Sequence, residues 1–114
     1  MDIKQQLDLK KYQKIVGLNC TYKILENIKK SIILLLKGKI DYEFRTTIVK
    51  EFHSEQDIIE ICKNISQAKI YYLQNLKKTD TISNQVFTPF SKEEIVKIIK
   101  KCQNYLNIKE RSYL

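Results

Sequence analysis

Glycine and proline are almost missing from this chain, with 2 and 1 among 114 residues. That scarcity excludes collagen-like and Gly/Pro-rich low-complexity chains, and the lack of a sustained heptad excludes a coiled coil. No apolar run approaches the roughly 20 residues needed to cross a bilayer. The nearest candidate, Ile32 to Leu36, is short and bounded by Lys29, Lys30 and Lys37. The opening MDIKQQLDLKK lacks the apolar core of a secretory signal. Arginine is scarce as well, since Arg45 and Arg111 are the only two among 21 basic residues. Cys20, Cys62 and Cys102 stand far apart, with no CxxC, CxxH or CxxxCxxC spacing. The sequence therefore holds no local metal or cluster motif. A Gly-rich phosphate loop, G-x-S-x-G and H-E-x-x-H are missing too. These absences leave one expectation: a single soluble domain over residues 1–114, in a reducing cytoplasmic compartment.

What is present is a 43% hydrophobic chain, too apolar for disorder, with a formal charge of +8. A basic balance invites nucleic acid. The lysines are scattered in nothing longer than pairs, however, and Arg, the better fork for phosphate and guanine, is rare. The charge reads as a solvated Lys surface in an Ile-, Lys-, Asn- and Tyr-rich composition, and nucleic acid is not an expected partner. Cys62 sits among Ile58, Ile59, Ile61 and Ile65, and Cys102 follows Ile95, Ile98 and Ile99 at helical spacing. Both read as small buried hydrophobes; Cys20 has no assignment.

Along the chain the pattern alternates strand and helix. Residues 1–4 resemble the end of a strand, and a helical turn from Asp8 to Val16 stops at Gly17. Ile24, Leu25, Ile28, Ile32, Leu35 and Leu36 predict a helix over 21–37. Residues 40–49, IDYEFRTTIV, predict a strand covered on both faces. Ser54 with Asp57 resembles a capping box opening a helix to about Ser66. Residues 69–76 read as a strand and Lys77 to Phe90 as a loop. Ser91 and Glu94 cap a helix to about Leu106, and Asn107 to Arg111 leaves room for a final strand. Short connections predict a parallel sheet of three to four strands in an α/β fold. Polar chemistry in such folds gathers at the carboxyl ends of strands, which selects Asp2, Lys4, Arg45, Thr47, His53, Gln74 and Asn75. His53, just ahead of a helix start, reads first as a half-exposed loop residue. Tyr42, Tyr71 and Tyr72 read as core or interface aromatics.

Taken in order, MDIK, Tyr12, Gly17, DYEFRTTIVKEFHSEQDI, AKIYYLQNL and the loop TDTISNQVFTPFSKEEI resemble the carboxyl-terminal half of radical S-adenosylmethionine activases. The closest type is the anaerobic ribonucleoside-triphosphate reductase activating protein, with pyruvate formate-lyase activating enzymes as relatives. The resemblance implies the last three βα units of a partial TIM-like (βα)6 barrel. The family's CxxxCxxC cluster motif and Gly-Gly-Glu segment belong to its amino-terminal half and do not occur here, so the expectation is a fragment, a split-gene product or a truncated frame.

Carried over by position, Asp2 and Lys4 match the family's Asp-x-Lys pair near bound S-adenosylmethionine. Two residues apart on a strand, an acid and an amine share one face and can reach one zwitterionic ligand; solvated charges on a frayed strand are the plainer alternative. Arg45 interrupts an apolar strand. The resemblance implies that it faces the barrel interior and contacts the cofactor, and the alternative is a salt bridge with Glu43 or another acid. Gln74 falls within about two residues of the place where relatives carry a His near the cofactor.

The resemblance implies that the complete enzyme uses a 4Fe–4S cluster to cleave S-adenosylmethionine reductively. The 5′-deoxyadenosyl radical then takes hydrogen from a glycine of a partner glycyl-radical enzyme, of the anaerobic ribonucleotide reductase type. This chain would supply Asp2, Lys4, Arg45 and Gln74 as cofactor-binding groups, with no catalytic residue and no cluster ligand, and would be silent alone. Its implied partners are the glycyl-radical enzyme, an amino-terminal half on another chain, and a second copy of itself through an open first-strand edge. The competing reading is a non-enzymatic α/β module that binds a protein partner or an anionic polymer.

Overall fold

The computed structural model describes residues 1–38, 42–76, 81–82 and 85–111. Four helices and a parallel three-stranded sheet form the α/β fold that strand–helix alternation predicts. Helix α1 spans Leu9–Val16 and α2 Tyr22–Leu36. They are followed by β1 (Phe44–Ile48), α3 (Glu55–Asn64), β2 (Tyr71–Asn75), the two-residue strands β3 (Thr81–Ile82) and β4 (Gln85–Val86), α4 (Lys92–Cys102) and β5 (Ile108–Arg111). Among the described residues no helix is long and apolar enough to cross a membrane.

Local chemistry explains the helix starts. The Ser54 and Ser91 hydroxyls accept from the amides of Asp57 and Glu94, whose carboxylates accept in turn from the two serine amides. Aspartate therefore closes a capping box as well as glutamate does here. Asp8 and Thr21 cap α1 and α2 in the simpler one-bond form. Helix α1 ends at Gly17, whose φ of +98° places it where a side chain would be strained, while its amide donates to Gln13.

The strands run in sequential order β1-β2-β5, all parallel. An isolated parallel bridge joins Asp2 to Arg45 on the far side of β1. The Ile3 amide donates to the Arg45 carbonyl at 2.8 Å and the Arg45 amide to Met1 at 3.0 Å. The amino-terminal strand is thus reduced to one ladder step beside β1.

Burial along β1 alternates: Phe44, Thr46 and Ile48 are buried, Arg45 and Thr47 exposed. This corrects the expectation of a strand covered on both faces. Helices α2, α3 and α4 all deliver their apolar residues to one side of the sheet, Ile32, Ile58, Ile61, Ile95 and Ile98 among them. Fully burying each such side chain stabilises by about 1.5–3 kcal/mol. Tyr71 is fully buried in this core and donates to Thr46 Oγ1 at 2.5 Å. The loop expected over 77–90 contains the antiparallel β3–β4 pair; residues 77–80, 83 and 84 lie outside the described residues.

Candidate functional site

The uncovered face of the sheet carries the polar side chains. Parallel register puts Asp2, Arg45, Tyr72 and Lys109 side by side in one row across the strands. Thr47, Gln74 and Arg111 form the next row, and Lys4 reaches back to Asp2 with Nζ 2.6 Å from Oδ2. The four residues that the resemblance implies for the cofactor, Asp2, Lys4, Arg45 and Gln74, therefore belong to one face. Strand alternation is the reason, because residues two apart point the same way and cross-strand partners share a side.

Charges on this face are unequally held. Arg111 pairs with Glu43 at 2.6 Å and lays its guanidinium 4.0 Å above the Tyr72 ring. Glu43 is thereby taken, and the salt bridge weighed for Arg45 is not formed with it. Arg45 and Lys109 have no acid partner among the described residues. The sequence reading missed Lys109, Arg111 and the placement of Tyr72. Ile108 is followed by three charged residues, Lys109, Glu110 and Arg111, so no apolar–polar alternation marks which of them share the open face.

Beside Asp2 and Lys4 a cavity of about 370 Å³ opens toward α1 and α2, lined by Tyr12, Val16, Cys20, Ile24 and Ile28. The Tyr12 hydroxyl accepts from the Lys4 amide at 3.2 Å, and burial raises its pKa.

The carboxyl ends of the strands are partly filled, and a cavity of about 380 Å³ remains there, lined by Lys50, His53, Ser54, Glu94 and Lys97 among others. Val49, Phe52, Leu76 and Phe87 make a small apolar cluster there. Asn75, selected by the strand-end rule, spends both ends of its amide on the Phe90 backbone, at 2.8 and 3.0 Å. His53 is buried, not half-exposed: Nδ1 accepts from the Val49 amide at 3.0 Å and Nε2 faces the Lys4 carbonyl at 2.8 Å. This arrangement fixes the Nε2–H tautomer and leaves no ring nitrogen for a ligand.

Asp57 is the most engaged acid among the described residues. Burial acts to raise its pKa, but hydrogen bonds from Lys11, the Ser54 amide and Gln6 outweigh it and hold the carboxyl at about 2. The three cysteines are buried free thiols. A hydrogen bond with Cys102, together with burial, pushes the Cys62 thiol above its usual range. No group of three His, Cys, Asp or Glu side chains that could hold a metal occurs among the described residues.

The fold and face define a class: a parallel α/β sheet that, among the described residues, is wound on one side only, with a polar, cation-bearing open face. Neither family models, nor curated proteins, nor solved structures give a match to this chain.

Proposed function

We propose that the chain is the carboxyl-terminal portion of a radical S-adenosylmethionine activase that serves a glycyl-radical enzyme, and that its open sheet face is the inward wall of a partial barrel. The observation that carries this reading is the one-sided winding. Parallel sheets are ordinarily covered on both faces. A doubly wound sheet reverses its strand order at a switch point, whereas barrel strands follow one another with all helices outside. Here the order is sequential, from Asp2 through β1 and β2 to β5, and the core lies on one side.

S-adenosylmethionine, when bound, would supply the group that is cleaved. The part of this chain is to bind and orient it. Asp2 and Lys4, already an ion pair, can exchange partners with an ammonium and a carboxylate, and Arg45 offers a fork of donors to a carboxylate. Gln74 adds an amide on the same face. Cluster chemistry would have to come from the amino-terminal half.

Two measurements test the reading. In a complete homologue, replacing the arginine equivalent to Arg45 by alanine should weaken S-adenosylmethionine binding by tenfold or more, about 1.4 kcal/mol; unchanged affinity counts against the reading. Anaerobic reconstitution of this chain with iron and sulfide should give no stoichiometric 4Fe–4S absorbance, and its appearance would overturn the assignment.

A further inference from the structure

The scattered lysines of the sequence conceal a collected patch. Arg45, Lys109 and Arg111 come from strands β1 and β5, yet register brings them to one face, with Tyr72 of β2 between Arg45 and Lys109. Adjacent strands lie about 4.8 Å apart, so Arg45 and Lys109 stand about 10 Å apart at their Cα atoms. Neither has an acid partner among the described residues, and the two acids on the face, Asp2 and Glu43, are held by Lys4 and Arg111. The uncommitted charge there is therefore positive. Between these two cations lies a cation–π pair, the Arg111 guanidinium carbon 4.0 Å from the centre of the Tyr72 ring. A guanidinium plane or a Tyr ring is a surface on which an unpaired base can lie.

We propose that the open sheet face binds single-stranded nucleic acid, with Arg45 and Lys109 on phosphates and a base stacked on the Arg111–Tyr72 pair. An acidic polypeptide would satisfy the cations but make no use of the cation–π pair, and duplex DNA would keep its bases out of reach. The inference does not rest on the barrel reading, because it requires only that the described residues leave this face uncovered.

The test is fluorescence anisotropy of labelled oligo-dT with the full chain over a salt series. Two to four phosphate contacts predict a slope of log K against log salt between about −1.4 and −2.8. Arg45→Glu with Lys109→Glu should abolish binding while circular dichroism stays unchanged. Tyr72→Ala should weaken binding about 10- to 100-fold, the range expected for loss of one stacked base. Lys30→Glu with Lys100→Glu changes net charge equally on exposed helical positions, and should leave affinity within about twofold. Equal loss from this helical pair would overturn the proposal, as would poly-glutamate binding as tightly as oligo-dT. Displacement by thymidine monophosphate at equal nucleotide concentration would also overturn it, as would no binding at low salt.

Discussion

Arg45 and Arg111 carry the same charge on the same sheet face and are held very differently. Arg111 has an ion pair and a ring beneath it; Arg45 has neither among the described residues. Partly exposed pairs and cation–π contacts each contribute about 0.5–1 kcal/mol. Arg111→Ala should therefore lower stability in urea by about 1 kcal/mol, whereas Arg45→Ala should stay within about 0.5 kcal/mol. A large loss from Arg45→Ala would reveal a structural role and weaken its assignment to a ligand. Asp57 supplies a pH dependence. Its folded pKa, about 2, lies below the ordinary 3.8, so its contribution is complete above about pH 4 and disappears as pH falls through 2. The difference corresponds to about 2 kcal/mol. Urea midpoints at pH 6, 4 and 2 should fall more steeply for the native chain than for Asp57→Asn; parallel curves would show that Asp57 does not drive the acid limb.

At the level of elements, the two capping boxes make a matched pair with unequal surroundings. Ser91→Ala should cost about 1 kcal/mol, the usual cost of losing a cap. Ser54→Ala should cost more, because the capping partner Asp57 is buried beside Lys11 and Gln6 while Glu94 is only half-buried. Thermal midpoints of the two variants would check the order, and equal shifts would refute it. Caps of this kind are why the helices were legible: Ser54, Asp57, Ser91 and Glu94 announce their starts within the sequence itself. Strands were legible in position but not in covering. Whether Arg45 and Thr47 face helices or open space depends on the side to which α2, α3 and α4 return, and that is a tertiary choice with no local signal. His53 was misread for a related reason. Its two partners, the Val49 amide and the Lys4 carbonyl, include one 49 residues away, beyond the reach of local patterning.

For the whole molecule the outcome turns on an edge as much as on a face. The four candidate residues could be grouped from the sequence because period-two alternation and parallel order place them together; Lys109 and Arg111 required the register of β5. The amino-terminal edge, read from the sequence as open for self-association, is partly closed. The Lys4 amide goes to the Tyr12 hydroxyl and the Lys4 carbonyl to His53, so neither remains for a strand of another chain. Free ladder groups at an edge are what recruit a second copy. Tyr12 is otherwise packed with Cys20 and Leu25, which lets the hydroxyl be removed without emptying the site. Tyr12→Phe should therefore keep the fold, free the Lys4 amide and shift the chain toward dimers, while the native chain stays monomeric. Sedimentation velocity from micromolar to near-millimolar concentration would measure both. A native chain already dimeric, and unaltered by Tyr12→Phe, would mean that association uses another surface and that the Tyr12 cap does not guard this edge.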